Sequence, residues 1–416
     1  MTELPRAEDR AAVEFPRSLS DDDMDQWHRL PAFQQPVWED GGRARECRRI
    51  LAGSPGLVTV DEVGQLRAVL ARCAAGDLNI VQVGNCAEHP EDSAPERVRR
   101  MVGLIDALAG VWQSVTGTPV VRVGRMAGQY AKPRSQPSET VAGRRLAVYR
   151  GHMVNRPEAG ERSRRHLADH MLECYRSARQ VLAETRRLST GPAGQPRVWA
   201  SHEALVLDYE LPLLRRDADG RFLLASTHWP WVGERTRQPE GAHVRLLASV
   251  INPVACKVGP SAAPDEVVEL CETLNPARAP GRLTLIARMG ADQVLTCLPP
   301  LVSAVRDAGH PVVWMCDPMH ANTHRRQGLK TRLVEEITAE LQRFHRCVSR
   351  AGGVPGGVHL EATPGEVIEC IPQRAAGPDP QRYRSLCDPR LNTHQALSVL
   401  KAAAQSAAAG PVDPGT

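Results

Sequence analysis

No Cys-X-X-Cys pair occurs among the 11 cysteines, which are odd in number and scattered from Cys47 to Cys387. A zinc ribbon and a disulfide framework are therefore both disfavoured. The chain also lacks any run of 18 apolar residues and any signal-like apolar stretch near its start. That argues against a membrane-spanning helix and reads as a cytoplasmic, reduced protein. Most of the thiols are then small core residues. A surplus of one charge is missing too, since 52 basic and 48 acidic residues leave +4. Neither a nucleic-acid-binding stripe nor an acidic tail is indicated, so any basic character has to be local. No GxGxxG and no His-X-His follows the first apolar run. Their absence counts against a dinucleotide-binding sheet and a metal-dependent hydrolase.

What the chain does contain is a rhythm. The first stretch, residues 1–25, mixes acids, bases and proline without periodicity and reads as a flexible arm. Residues 26–78 form an N-terminal extension. In it Trp27 to Trp38 looks extended and pinned by aromatic anchors across a subunit contact, and Arg43–Leu51 and Val60–Ala75 are amphipathic helices. From Asn79 onward, short apolar runs alternate with helical stretches. Strands are expected at Ile80–Val83, Val120–Val123, Val198–Ala200, Leu223–Ser226, Pro253–Lys257, Leu283–Ala287, Val312–Met315 and Val358–Leu360. Eight βα units predict an α/β fold, a (β/α)8 barrel over residues 79–401, with a doubly wound sheet as the alternative. Ser135–Tyr149 and Gly191–Val198 read as loops, the first a candidate lid. A helix starts near Thr393, and 402–416 is a flexible tail.

Reactive side chains cluster just past the apolar runs: Cys86, Glu88, Arg125, His202, Glu203, His228, Glu234, Lys257, Arg288, Asp317, His320 and Glu361. In a barrel these share one rim, where catalysis is expected. Two constellations follow. Cys86, His320, Glu361 and Asp388 are a mixed donor set suited to manganese or cobalt, with zinc or iron as further options. Arg125, the Lys132–Ser135 run, Arg235, Lys257 and Arg288 concentrate too much positive charge for one rim unless it faces anions.

Together the motifs resemble the type II (class II) 3-deoxy-D-arabino-heptulosonate 7-phosphate (DAHP) synthases. The segments are VGNCAE, GRMAGQYAKPRS, SHEALVLDYE, STHWPWVGERTRQPEGAHV, NPVACKVGP, GRLTLIARMGA, CDPMHANT, GGVHLEAT and CDPRLNT, spread from Trp27 to Leu400. The compact length is similar to the short form of phenazine-type secondary metabolism, without room for the helical insert that senses aromatic amino acids. The resemblance implies a homo-oligomeric barrel, a dimer or higher, that condenses phosphoenolpyruvate with erythrose 4-phosphate. It implies a metal on Cys86, His320, Glu361 and Asp388, and phosphoenolpyruvate on Arg125, Glu234 (through its backbone), Arg235, Lys257 and Arg288. Lys132, Arg134 and Ser135 would face the aldose phosphate; on reach alone, Lys257, Glu203 and a metal-bound water are the candidates for moving protons.

Three positions depart from the usual family wording: Asn85 and His152 stand where aspartates are expected, and Ala321 replaces a glycine. An altered aldose phosphate, or a non-catalytic relative that regulates a partner such as a chorismate mutase, are the alternatives these changes raise. Cys387 beside Asp388 would permit a disulfide with Cys86 if the two lie close; two reduced thiols, one of them a ligand, is the expectation.

Overall fold

Alternation of side chains along short apolar segments decides the architecture, because every second residue of a strand faces the same side of its sheet. The computed structural model describes residues 17–18, 21–141, 143–189, 198–373 and 377–409. Eight parallel strands close a barrel in sequence order: β1 (Asn79–Gly84), β2 (Val120–Arg125), β3 (Val198–Glu203), β4 (Trp229–Val232), β5 (Val254–Val258), β6 (Leu283–Ala287), β7 (Val313–Cys316) and β8 (Pro355–Glu361). β8 returns to β1 through Val358 opposite Val81 and Glu361 opposite Gly84. The helices that wrap it are α1 (Pro95–Thr116), α2 (Asp169–Leu188), the single turn α3 (Leu207–Glu210), α4 (Ala242–Ser249), α5 (Pro264–Leu274), α6 (Val294–Asp307), α7 (Val334–Arg350) and α8 (Thr393–Ala408).

Seven of the expected strands fall where the apolar runs placed them, and the fourth does not. Leu223–Ser226 is not a barrel stave: Phe222–Leu224 pairs antiparallel with Leu214–Arg216, which in turn pairs with Arg17–Ser18 in a small side sheet. The stave is Trp229–Val232, whose Pro230 lacks the N–H a central strand normally donates and so masks it in the sequence. Pro230 sits opposite His202, while the neighbouring carbonyl of Trp231 accepts from Ala204 N at 3.0 Å.

Inside the barrel, Ile80, Val121, Val123, Trp199, Trp229, Trp231, Ile286, Val313 and Met315 form one apolar cluster, joined from below by Leu66, Leu70 and Cys73 of the Val60–Ala74 helix. That helix is started by a capping box between Thr59 and Glu62 and closes the N-terminal mouth. Its backbone passes so near Gly281 (φ +75°) that a Cβ there would lie 2.3 Å from the Arg67 carbonyl oxygen, so only glycine fits. With the floor plugged, the C-terminal strand ends form the open mouth.

The ordered extension begins earlier than expected. Helix Asp21–His28 sinks Met24 and Trp27 into the core, and Trp27 meets Phe222 edge-on at 5.3 Å. The segment after it is pinned to its own barrel: Gln35 Nε2 donates to the Leu205 carbonyl (2.8 Å) and Trp38 Nε1 to Asp208 Oδ2 (2.5 Å). At the other end α8 runs on to Ala408, so residues 402–408 are helical rather than frayed. Ala403 and Ala404 are buried, and alanine is the residue that costs a helix least. Residues 1–16, 190–197 and 410–416, on which the rest of the arm, the second loop and the end of the tail fall, lie outside the described residues. The Ser135–Tyr149 stretch contains a hairpin, Ser138–Val141 with Arg144–Ala147. A second hairpin, Thr323–Arg326 with Leu329–Arg332, turns at Gln327 and Gly328, both at positive φ as a two-residue hairpin turn prefers.

On the outer layer, His345 of α7 is buried against Trp112 and Phe344, and burial holds its pKa down to about 4. An unfolded histidine takes its proton near 6.5, so between roughly 6.5 and 4 the unfolded chain binds the extra proton and stability falls as pH falls. Between neutral pH and about pH 5 the wild type is expected to lose about 1–2 kcal/mol more stability than His345→Phe in denaturant titrations. An equally steep pH dependence in the variant would assign the loss elsewhere.

Candidate active site

Glu361, the last residue of β8, is two positions beyond His359 and therefore points into the barrel with it. The same pleat phase carries Arg125 after Val123, Glu203 after Ser201, Lys257 after Ala255, Arg288 after Ile286 and Asp317 after Met315. Six of the twelve reactive rim residues thus converge on one mouth by strand geometry alone. His202 has the opposite phase and faces outward, its Nε2 2.9 Å from Glu210 Oε1. His228 instead precedes β4 at the floor end of the barrel, where its ring meets Trp199 edge-on at 5.2 Å, Nε2 lies 3.6 Å from Glu62 and Nδ1 accepts from Ala200 N at 3.1 Å. Those two histidines hold the wall together and take no part in the mouth.

Four proposed metal-binding side chains meet at the mouth's base. One donor atom each of Cys86, Glu361 and Asp388 lie within 4.8 Å of one another. His320 joins them through Nε2, 3.1 Å from Glu361 Oε1. Cys86 Sγ is 3.6 Å from Asp388 Oδ2 and accepts from the Asp388 backbone N–H at 3.3 Å. The ring of His320 is aimed by local chemistry. Asp317 Oδ1 accepts from the Met319 and His320 backbone N–H groups, turning the chain back, and Oδ2 lies 2.7 Å from His320 Nδ1. That contact keeps the Nδ1 proton towards Asp317 and frees the Nε2 lone pair, the usual way a ligating histidine is held.

The electrostatics fit a divalent cation. Burial, then Cys387 and Glu361, push the Cys86 thiol well above its ordinary pKa. A thiolate beside two carboxylates needs a cation, and a thiolate, an imidazole and two carboxylates are a donor set for a transition metal. Burial works against ionised Glu361, yet His320, Lys132, Arg332 and Arg125 hold its pKa well below the usual range. Asp388 is likewise held down by Lys132 and Arg332 against its burial. The contacts are direct: Arg332 Nη1 to Glu361 Oε2 at 2.7 Å, Arg125 Nη2 to Glu361 Oε1 at 3.1 Å, Lys330 Nζ to Asp388 Oδ1 at 2.6 Å. Lys132 Nζ bridges both carboxylates, 3.3 Å from Asp388 and 3.6 Å from Glu361.

Above this cluster opens a cavity of about 710 Å³, lined among the described residues by eight cationic side chains, Lys132, Arg134, Arg235, Lys257, Arg288, Arg325, Lys330 and Arg332, against four carboxylates, Glu139, Glu203, Glu234 and Asp388. Lys257 Nζ is paired with Asp317 Oδ2 at 2.6 Å, and Arg288 Nη2 donates to the His320 carbonyl at 3.1 Å. Arg235 Nη2 donates to Ser135 Oγ at 2.7 Å, so the Lys132–Ser135 run and Arg235, distant in the chain, touch. Glu234 Oε1 accepts from Arg237 Nε at 3.2 Å. Arg134 leans on Glu139 of the first hairpin at 3.3 Å. Glu203 reaches the cavity with Oε1 buried and without a hydrogen-bond partner; a Cβ on Gly233 would sit 2.1 Å from that oxygen, so the glycine keeps the carboxylate in place. Beneath the rim a neutral layer separates the charges from the core: Gln82 donates to Ser201 Oγ (2.8 Å) and contacts His359 Nδ1 (2.6 Å), whose pKa burial holds well down.

Sequence reasoning left Asp317 without a role and passed over Lys330 and Arg332. Both cations alternate along the second hairpin, L-K-T-R, a pattern that reads as an exposed polar ribbon. Glu88 faces backbone rather than cavity, accepting from the N–H groups of Ala127, Gly128 and Gln129 at 2.9, 2.9 and 2.6 Å. It fixes the loop that presents Lys132. Asn85 and His152 also stand behind the site. Asn85 accepts from Arg390 Nη1 (2.9 Å), and His152, 2% exposed, packs edge-on against His89 and Tyr149. Cys387 lies against Cys86 and Tyr149, with both thiols free. Among the described residues no helix is long and apolar enough to cross a membrane.

The class-II DAHP synthetase family matches residues 22–196 and 189–404. A probable phospho-2-dehydro-3-deoxyheptonate aldolase of Pseudomonas fluorescens is 51% identical over 378 residues, 89% of this chain and 94% of that one. A phospho-2-dehydro-3-deoxyheptonate aldolase of Mycolicibacterium smegmatis is 36% identical over 426 aligned positions, covering 89% and 91% of the two chains. Among solved structures, the phospho-2-dehydro-3-deoxyheptonate aldolase of Francisella tularensis superposes with a TM-score of 0.54 at 13% identity, over 86% of this chain and 96% of that chain, a likeness of fold. Half of all aligned residues shared with the Pseudomonas fluorescens protein, and a match from residue 22 to residue 404, establish that the chain belongs to the class-II DAHP synthetase family.

Proposed function

We propose that this protein condenses phosphoenolpyruvate with erythrose 4-phosphate to DAHP and inorganic phosphate, with a divalent metal on Cys86, His320, Glu361 and Asp388. The observation that carries the reading is the pairing of that donor cluster with a cavity where eight cations face four carboxylates. Even with Lys257 paired to Asp317 and Arg332 to Glu361 beneath the lining, cations remain in excess, and the phosphates and carboxylate of the two substrates supply negative charge to meet them. The bound metal would serve as a Lewis acid at a carbonyl oxygen.

The chain's own groups do the rest. Arg235, Lys257 and Arg288 of the cavity wall, with Arg125 buried beneath it on Glu361, grip the carboxylate and phosphate of phosphoenolpyruvate, with Glu234 contributing its backbone, and hold the enol carbon towards the donor cluster. Lys132, Arg134 and Ser135 receive the aldose phosphate across the cavity. Carbon 3 of the enol phosphate bonds to the aldehyde carbon, whose oxygen takes up a proton. Water adds at carbon 2, and that carbon then expels inorganic phosphate to leave the ketone. The same cations stabilise charge as it moves onto the departing phosphate. Glu203, with its partnerless oxygen, and Lys257, whose pKa burial lowers, are the groups we assign to proton transfer.

The outward placement of Asn85 and His152 favours the ordinary aldose over a modified one, because neither side chain lines the cavity. A short-form role in secondary metabolism and a homo-oligomeric state complete the proposal. Incubation of manganese(II)-loaded protein with both substrates should consume enol phosphate and release inorganic phosphate in equal amounts. Phosphate release without erythrose 4-phosphate would indicate a hydrolase, and no consumption at all a binding protein.

A further inference from the structure

We propose that Glu340, which lies outside the cavity on α7, is a positioning residue that locks the loop carrying Arg288 to the loop carrying His320. The inference rests on the function proposed above for those two residues. Glu340 is fully buried, and both of its oxygens are used. Oε1 accepts from the backbone N–H groups of Met289 (3.0 Å) and Gly290 (2.8 Å), and Oε2 accepts from Asn322 Nδ2 (2.6 Å). Asn322 completes the bridge. Its Oδ1 accepts from Ala291 N (3.0 Å), and its Nδ2 also donates to the Pro318 carbonyl (2.8 Å). One turn further along the same face of α7, Arg343 Nη1 donates to the Ala291 carbonyl.

The polar backbone of residues 289–291 is therefore held from a single helix face together with one amide. The two loops also touch at Gly290, where the backbone is left-handed at φ +89° and an added Cβ would lie 3.2 Å from Ala321 Cβ. Arg288 and His320 are the neighbours of this clamp, and they meet through Arg288 Nη2 and the His320 carbonyl. A carboxylate with three donors and no direct view of the substrate has one mechanical consequence. It makes the distance between the phosphoenolpyruvate cation and the metal-binding imidazole independent of loop fluctuation.

Glu340→Gln keeps shape but replaces an acceptor oxygen by an N–H2 group. Whichever way the amide turns, a donor faces Asn322 Nδ2 or the two backbone N–H groups. Calorimetric titration with manganese(II) alone and with phosphoenolpyruvate alone is expected to show each affinity weakened about tenfold in the variant. Adding Asn322→Asp restores the match to the introduced glutamine but sets a carboxylate oxygen against the Pro318 carbonyl, so the double variant should recover both affinities only in part. Leu341→Ala, a core truncation on the same helix, should lower the melting temperature and leave both affinities unchanged. The proposal is overturned if Glu340→Gln binds both ligands like the wild type, or if Leu341→Ala weakens them equally. Condensation by the wild-type protein is scored separately: its absence defeats the function proposed above, and the manganese(II) titration alone then decides the role of Glu340.

Discussion

Glu361→Gln is expected to abolish turnover, by at least about 10³-fold, and to destabilise the fold by about 3–5 kcal/mol. Both effects come from the same geometry. Glu361 is wholly buried and spends its two oxygens on Arg332, Arg125, His320 and Lys132, at 2.7, 3.1, 3.1 and 3.6 Å. Glutamine presents one oxygen and one donor group, so an N–H2 must face a guanidinium, and three buried cations lose their counter-charge. The pH dependence carries a separate signature. A carboxylate whose folded pKa is depressed contributes stability above the unfolded value, about 4.3, and loses it as pH falls. The wild type should therefore weaken on acidification below that point, while Glu361→Gln, with no such proton to take up, should be flatter. Denaturant melts across pH 7 to 3 and manganese(II) titrations check both halves. Metal affinity within threefold of wild type would remove Glu361 from the ligand set.

Much of this site was written in the chain because a strand's period is two. Arg125, Glu203, Lys257, Arg288 and Asp317 share the phase of apolar residues before them and Glu361 that of His359, and closing the barrel delivers all six to one mouth. The same rule sends His202 outward, and His228 misled for a different reason: with Trp229–Val232 as the fourth stave it stands before the strand, at the floor beside Glu62. The fourth stave escaped because Pro230 makes Trp229–Val232 look unlike a strand, whereas Leu223–Leu224 looks like one and pairs elsewhere. The floor was illegible for another reason. Amphipathicity says that the Val60–Ala74 helix has a buried face but not which surface buries it; that it plugs the barrel depends on contacts with strands far along the chain. Lys330 and Arg332 were hidden by the hairpin that carries them. A polar ribbon beside a Gln-Gly turn is ordinarily solvated, and only the fold of that ribbon over the mouth places Arg332 on Glu361 and Lys330 on Asp388.

Asp317 supplies the second large effect, because one carboxylate oxygen serves two different tasks. Its Oδ2 is 2.6 Å from Lys257 Nζ and 2.7 Å from His320 Nδ1, and its pKa is held well below the usual range by His320 and Lys257 despite complete burial. An asparagine in its place would retain an oxygen for the Met319 and His320 N–H groups, so the turn survives. At the Oδ2 position, however, an N–H2 group would confront one ammonium and one imidazole N–H. His320 can then accept only by moving its proton from Nδ1 to Nε2, which removes the lone pair aimed at the donor cluster. Lys257, without its counter-charge, is left to the burial that already lowers its pKa. Asp317→Asn is therefore expected to weaken manganese(II) binding by about 10–100-fold and to lower kcat/KM by about 10³-fold. The rise in the KM for phosphoenolpyruvate and the loss of metal affinity should appear together. Lys257→Met, which spares the histidine, should raise the KM and leave metal affinity within threefold. If Asp317→Asn instead melts earlier but binds metal and phosphoenolpyruvate as tightly as the wild type, the two tasks are not joined through this oxygen.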